Sequence, residues 1–434
     1  MKKIFHISFF TALLLVFNAC SIDDSVDPNR PSIEGILKNA TIPQLNNLVV
    51  GTVGQMRASL DAYYDAVSVI GREIYRFSSS DPRYTADLPG GTLDNNAFYL
   101  TNPYAGRYGT VKNCNILLAS LENTTSPTPQ QKEGYRGFAK TIKAHELLMV
   151  LNQLNENGIR IDVEDPDNLG DFVSKDAALT AIATLLDEAA AHLDNAGTSF
   201  AFSLSTGFAG FNTPSTFKKF NRGLAARVAV YRGKYADALT ILDASFLDLN
   251  GDLNVGVYHV FGLGSGDTRN LVFLPLNSNS DVRAAHPKFL EDAESGDTRL
   301  SKVVKRAATA TQSGFSSDYD AWVYQSNTSP IPIVRNEELI LIYAEASIQT
   351  DKFEQGINAL NIIRAKAGLA PYAGNTDKTS LINEMLNQRR YSLFFEGHRW
   401  VDMRRYNKLG ELPIDRAGDK VHVSFPIPLN EERF

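Results

Sequence analysis

Four charged residues near the C-terminus have the types and spacing that could support acid–base chemistry. They are Arg389, Glu396, Arg399 and Asp402. Two carboxylates on one helix face could in principle hydrolyse a glycosidic bond. Each carboxylate, however, has an arginine within one helical turn, and a nearby arginine lowers a carboxylate pKa and makes it a poor general acid. The spacing therefore favours a structural ion-pair network over a catalytic pair.

The other chemical motifs are incomplete. His145-Glu146 lacks a second histidine four positions later, so no zinc-protease motif is present. The glycine-rich segment 262–266 precedes a β-type run, which favours a hairpin loop over a phosphate-binding loop. Segment 248–254 (DLNGDLN) leaves calcium as an alternative, but it does not match an EF-hand loop. We expect no metal, no cofactor and no enzymatic activity.

Aromatic residues are concentrated in two segments, 80–108 and 313–327, that are rich in glycine, proline and polar residues. Sugar rings present C–H faces that stack on aromatic planes, and neighbouring polar groups can bind their hydroxyls. As a set, these segments favour ligand recognition, although each ring could instead pack its loop onto the body. The ligand-binding candidates are Tyr84, Tyr99, Asn102, Tyr104, Arg107, Tyr319, Asp320, Trp322 and Tyr324.

The first 32 residues predict export and anchoring. Residues 1–19 have a basic start and a short apolar run, and they end before Cys20, as in a bacterial lipoprotein signal. An ordinary secretory signal with a coincidental cysteine is the alternative. Residues 20–32 are acidic and polar, which is typical of a flexible tether. The body contains one further cysteine, Cys114, so no internal disulfide is expected once Cys20 is lipidated.

Residues 33–434 predict one mainly α-helical domain with long loops and a small β-hairpin element. Apolar residues recur at helical spacing over 33–77, and helices resume at Arg107 after a turn-rich segment, 78–106. Two β-type runs flank segment 262–266, and 379–406 is expected to form one long helix.

Two helix pairs in this domain resemble each other. They span 225–242 and 341–360, and each has small residues on its first helix and an aromatic residue, Tyr235 or Phe353, at the start of its second. This pattern is typical of tetratricopeptide-like helix pairs. The formal net charge of -6 gives no attraction to nucleic acid, so that class of partner is excluded.

Three C-terminal segments resemble the SusD/RagB family of surface nutrient-binding lipoproteins. They are RNEELILIYAEA, ALNIIRAKAGL and NQRRYSLFFEGHRWVDMRRYN. The resemblance implies an α-rich fold with tetratricopeptide-like pairs, and a ligand site in variable loops that correspond roughly to 80–108 and 313–327. It also implies a lipid anchor in the outer membrane, facing the cell surface, and a partner transporter of the TonB-dependent SusC type.

The expected function is therefore capture of an oligosaccharide and its delivery to such a transporter. Capture of a peptide or glycopeptide by the same architecture is one alternative. A helical-repeat scaffold that contacts only proteins at the outer membrane is another.

Overall fold

The computed structural model describes residues 33–431, and most of its regular structure is helical. The signal segment, Cys20 and the tether lie outside the described residues. The helices are α1 (Ile33–Asn39), α2 (Ile42–Gln55), α3 (Leu60–Ile70), α4 (Arg83–Ala86), α5 (Phe98–Asn123), α6 (Pro129–Leu154), α7 (Lys175–Asp194), α8 (Pro214–Tyr231), α9 (Tyr235–Asp243), α10 (Lys288–Glu291), α11 (Asn336–Gln349), α12 (Phe353–Lys366), α13 (Lys378–Ser392) and α14 (Arg399–Arg405). The strands are β1 (Ile74–Ser78), β2 (Ile159–Arg160), β3 (Phe172–Val173), β4 (Gly256–His259), β5 (Asp281–Ala285), β6 (Val303–Gln312), β7 (Phe315–Ala321) and β8 (Ile331–Arg335).

Three helices, α2, α6 and α8, begin with the same local chemistry. Thr41, Thr128 and Thr213 each accept a hydrogen bond from the backbone N–H three residues later, and proline occupies one of the first two helical positions. The side chain of that third residue bonds back to the threonine backbone, which completes a capping box. Each such cap stabilises its helix by about 1 kcal/mol.

The two similar helix pairs have the same turn, which confirms the predicted tetratricopeptide-like pairing. Lys234 and Lys352 precede the second helices with φ/ψ of -90/63° and -89/61°. The residues before them, Gly233 and Asp351, both adopt positive φ. In the second pair Gly356 lets the helices approach closely, because a Cβ there would lie 2.5 Å from Ile348 Cγ1.

The strands form small antiparallel sheets beside the helices. The largest has the order β1-β5-β7-β6, and the two-stranded pairs are β2–β3 and β4–β8. A small β element beside the helices is confirmed, but its hairpin is formed by β6 and β7 and not by the runs that the sequence analysis identified. The predicted hairpin around 262–266 is wrong, because β4 pairs with β8 and residues 270–276 form no strand.

Two predicted boundaries are also wrong. The helical segment 33–77 ends earlier, since Ile74–Ser78 forms β1 and pairs with β5. The turn-rich segment 78–106 includes the short helix α4, and α5 begins at Phe98 and runs through Pro103. Proline removes the N–H that would bond the carbonyl four residues earlier. That carbonyl, on Tyr99, instead accepts a hydrogen bond from Gln153 Nε2 at 3.5 Å.

The predicted long helix 379–406 is interrupted. α13 ends at Ser392, α14 begins at Arg399, and Phe395 between them adopts φ of 60°. The four charged residues of the C-terminal block therefore lie on two helices and the turn that joins them. Their packing places Trp400 and Phe394 in the core with no exposed surface.

Candidate ligand-binding surface

The two segments singled out in the sequence meet at one place. Thr85 Oγ1, in α4, donates a hydrogen bond to Ser313 Oγ in the β6–β7 turn at 3.1 Å. Gln312 bonds both backbone groups of Ser78 at 2.8 Å. Arg416 donates to the carbonyls of Ser313 and Thr85 at 2.8 and 2.9 Å. The α4 region and the hairpin turn are thus held together as one surface.

An arginine–aromatic stack lies beside this junction. The guanidinium of Arg83 lies 4.6 Å from the centre of the Phe98 ring, and its side chain is 42% exposed. Asp81 fixes it through Nε at 3.0 Å and Nη2 at 2.7 Å. The bond from Arg83 lowers the pKa of Asp81, so this carboxylate is ionised at neutral pH.

The Arg83–Phe98 stack and the neighbouring Asn102 have polar groups that are available to a ligand. Within the described residues, Arg83 Nη1 makes no hydrogen bond. Asn102 lies one helical turn after Phe98 in α5 and is exposed, with an amide that can both donate and accept. A planar guanidinium, an aromatic edge and an amide side chain are the groups that bind sugar hydroxyls and C–H faces.

The other candidates of segment 80–108 are in the interior. Tyr99 is fully buried, and its hydroxyl donates to Asp87 Oδ2 at 2.9 Å and accepts from the Asp94 N–H at 2.8 Å. Arg107 is also fully buried and pairs with Glu146 at 2.9 Å. Tyr84 packs edge-on against Phe98, and Tyr104 lines a different cavity, described below.

The candidates of segment 313–327 are spread along β7 and beyond. Tyr319 is half-buried and Asp320 buried, and as neighbours in a strand they point to opposite faces. Asp320 pairs with Arg306 and accepts from the Asn277 N–H at 2.7 Å. Tyr324 is buried and donates to the Phe395 carbonyl at 3.2 Å.

Trp322 is half-buried next to Phe273, with ring centres 6.0 Å apart. It follows the end of β7, whereas the turn that contacts Thr85 precedes the start of β7. A strand of this length spans roughly 20 Å. The structure therefore does not gather the nine candidates into one site. The sequence analysis does not single out Phe98 as a ligand residue, although the helical spacing of Tyr99, Pro103 and Arg107 indicates which face of α5 is buried.

The C-terminal charges form separate pairs. Arg389 Nε lies 2.7 Å from Asp402 Oδ2, and Arg405 contacts the other oxygen of Asp402 at 2.9 Å. Glu396 pairs with Arg335 at 2.7 Å, while Arg399 forms no ion pair within the described residues. The four residues thus do not form one closed network.

The pKa values of Asp402 and Glu396 are shifted in opposite directions. Burial alone would raise the pKa of Asp402, but the charges of Arg389 and Arg405 outweigh it and lower this pKa to about 2. For Glu396, burial raises the pKa and Arg335 offsets this only in part. The lowered pKa expected for both carboxyl groups is thus found for Asp402 but not for Glu396.

The described residues offer no evident metal centre. Within 33–431, no three His, Cys, Asp or Glu side chains are grouped so as to hold a metal ion. In segment 248–254, Asp248 and Asp252 accept hydrogen bonds from the backbone N–H groups of Asn250 and Asn254 at 2.9 Å, as in ordinary turns. Over the same range, no helix has the length and apolar character needed to cross a membrane.

Comparisons with known proteins agree with this fold. Residues 292–423 match the SusD family model. The fold is similar to that of surface glycan-binding protein A from Bacteroides thetaiotaomicron, with a TM-score of 0.71, 13% identity, and coverage of 91% of this chain and 97% of the other. It is also similar to NanU from B. fragilis, with a TM-score of 0.71, 14% identity, and coverage of 93% and 97%. A SusD superfamily protein from Bacteroides vulgatus gives a TM-score of 0.69, 14% identity, and coverage of 90% and 96%. A search of curated proteins found no match.

The architecture is the mainly α-helical fold of the SusD-like structures. Residues 292–423 are thus similar in sequence to the SusD family, and the fold over nearly the whole chain is similar to that of SusD superfamily structures.

Proposed function

We propose that this protein captures a glycan at the cell surface and passes it to a SusC-like TonB-dependent transporter in the outer membrane. The observation that carries the glycan part is the partly exposed Arg83–Phe98 stack, fixed by Asp81 and flanked by Asn102. The similarity of residues 292–423 to the SusD family supports it, as does the name of a protein of the same fold, a surface glycan-binding protein.

Attachment to the membrane is proposed to occur through a lipid on Cys20, with residues 20–32 as a tether. The support is the lipoprotein-like signal in the sequence. We expect a Cys20→Ser variant to leave the membrane fraction and appear in the soluble fraction. Retention of this variant in the membrane would contradict the lipid anchor.

The protein is proposed to bind its ligand without catalysing a reaction and without a cofactor. Asp402 is buried and ionised, and Glu396 is buried against Arg335, so neither carboxyl group is accessible to a substrate as a general acid. Addition of EDTA should therefore leave glycan affinity unchanged. A chelator-dependent loss of affinity would instead support calcium binding.

The glycan proposal is tested by isothermal titration against a panel of oligosaccharides. Loss of the stack in Phe98→Ala or Arg83→Ala should weaken binding about tenfold or more, since stacking and charged hydrogen bonds each contribute roughly 1–3 kcal/mol. Trp322→Ala is the matched control, because it removes an aromatic ring from the other end of β7.

The possible outcomes separate the alternatives. If Trp322→Ala abolishes binding and Phe98→Ala does not, the site lies at the far end of β7. If no glycan binds and peptides do, the protein captures peptides. Affinity purification from intact membranes tests the transporter: recovery of a TonB-dependent β-barrel supports delivery, and recovery of other proteins alone would favour a scaffold role.

A further inference from the structure

A second cavity, of about 380 Å³, lies on the side of α5 that faces β2. Its volume falls in the range that holds small-molecule ligands. One wall comes from α5 and the other from the loop between β2 and β3, and most of the lining is apolar. The lining includes Tyr104, Tyr108, Lys112, Asn115, Ala119 and Arg160.

The cavity has rigid walls. Tyr104 and Tyr108 lie one turn apart on α5, with ring centres 4.7 Å apart. The Tyr108 hydroxyl donates to the Arg160 carbonyl at 2.8 Å and accepts from the Arg160 N–H at 3.1 Å. This double contact joins α5 to β2, so the aromatic wall is fixed without a ligand.

Two buried polar atoms of lining residues are unsatisfied in the described part of the chain, the Tyr104 hydroxyl and Asn115 Oδ1. Asn115 is 7% exposed, and its Nδ2 donates to the Val163 carbonyl at 3.0 Å. Its Oδ1 has no hydrogen-bond partner among the described residues. A buried acceptor without a partner costs free energy, so this position favours a ligand with an N–H or O–H donor.

One charged side chain of the lining has no ion-pair partner in the part of the chain that the structure describes. Arg160 pairs with Glu431 at 2.8 Å, and Glu164 pairs with Lys143. Lys112 is exposed at the rim and forms no ion pair within residues 33–431. The uncompensated charge is therefore positive, which favours an anionic group on the ligand.

We propose that this cavity binds a small aromatic carboxylate that carries one hydrogen-bond donor, as in an N-acylated aromatic amino acid. The ring would pack on Tyr104 and Tyr108, the donor would bond Asn115 Oδ1, and the carboxylate would face Lys112. This site is separate from the Arg83–Phe98 stack and does not depend on glycan binding.

The test uses the purified protein and N-acetyl-L-phenylalanine, with its methyl ester as the uncharged comparison, in a calorimetric titration. We expect the acid to bind several-fold more tightly than the ester. Lys112→Gln should remove this difference, while the matched control Lys366→Gln, at an exposed lysine of α12, should retain it. Asn115→Leu should weaken binding of the acid about tenfold, as expected for loss of one buried hydrogen bond.

A second variant does not depend on the Asn115 contact to Val163. Ala119 is exposed on α5 and lines the cavity, so Ala119→Trp should fill the cavity and abolish binding. Absence of binding to the wild-type protein, equal affinity for acid and ester, or unchanged binding in Ala119→Trp would each overturn the proposal. The Phe98→Ala variant should bind the probe normally, so failure of the glycan proposal is distinguishable from failure of this one.

Discussion

Replacement of Asp402 by asparagine should lower the free energy of unfolding more than the removal of an exposed charge does. Asp402 is 3% exposed, and its two oxygens contact Arg389 and Arg405 at 2.7 and 2.9 Å. The Arg389 side chain is itself only 1% exposed, so the Asp402→Asn variant leaves a buried cation without its charged partner. Loss of one partner of a buried pair costs about 3–5 kcal/mol.

The shift in the pKa of Asp402 gives a second estimate of its contribution to the free energy of unfolding. Asp402 has a pKa of about 2, against 3.8 for an ordinary aspartate. A difference of this size corresponds to roughly 2–3 kcal/mol that the ionised form contributes to folding. Because the folded-state pKa is lowered, this contribution is complete above pH 4 and is lost as the pH falls toward 2. Both magnitudes predict a loss of about 3 kcal/mol at pH 7.

Urea unfolding followed by circular dichroism measures this loss. The matched control is Glu411→Gln, which removes a carboxylate that is 60% exposed and paired with Lys408. An exposed pair contributes about 0–1 kcal/mol, so the control should unfold close to the wild-type midpoint. The difference between the wild-type and Asp402→Asn proteins should be constant from pH 7 to pH 5. If Asp402→Asn costs less than 1 kcal/mol, the buried pair does not stabilise this fold and the reasoning is refuted.

Three further predictions concern stability. Burial lowers the pKa of His259 to about 3, so the folded protein resists a protonation that the unfolded chain accepts below pH 6.5. Acidification from pH 7 to 5 should therefore lower the free energy of unfolding of the wild-type protein by about 2 kcal/mol more than that of a His259→Asn variant. Equal pH dependence of the two proteins would contradict this prediction. Gly158→Ala should cost about 3 kcal/mol or more, because its φ is +70° and a Cβ would lie 1.9 Å from a carbonyl oxygen. Gly233→Ala, also at positive φ but with no atom within 4 Å of the new Cβ, should cost only about 1 kcal/mol in the same unfolding assay, and equal costs would exclude the steric explanation. Thr128→Ala should lower the free energy of unfolding by about 1 kcal/mol through loss of the α6 cap, and an unchanged value would show that the cap contributes nothing.

The paired helices were predictable because their determinants are local. Each first helix ends in a turn whose residue at positive φ is glycine or aspartate, and the aromatic residues Tyr235 and Phe353 begin the second helices as predicted. Such turns are closed by hydrogen bonds over five residues, as between Lys234 N–H and the Ala229 carbonyl at 2.9 Å. A signal contained in six neighbouring residues can be read from the sequence alone.

The break between α13 and α14 was not predictable, because remote residues hold it. The Phe395 N–H donates to Glu73 Oε1 at 3.0 Å, and the Phe395 carbonyl accepts from Tyr324 at 3.2 Å. These partners are 322 and 71 positions away in the sequence. Because they satisfy both backbone groups, the chain can leave the helix where the local pattern of charged and apolar residues is compatible with its continuation.

The same distinction between local and remote determinants explains why the candidate aromatic residue is Phe98 and not the predicted Tyr99. Aromatic composition identified segment 80–108 but could not say which rings face outward, because that depends on whether the segment is a loop or a helix. Pro103 favoured a loop, yet the Tyr99 carbonyl that it leaves without its helical partner is bonded by Gln153 of α6. Once α5 extends back to Phe98, helical spacing places Tyr99 and Arg107 in the core and leaves Phe98 and Asn102 at the surface. The register of α5 therefore decides which side chains of this segment face outward, and the proposed ligand-binding residues follow from that register.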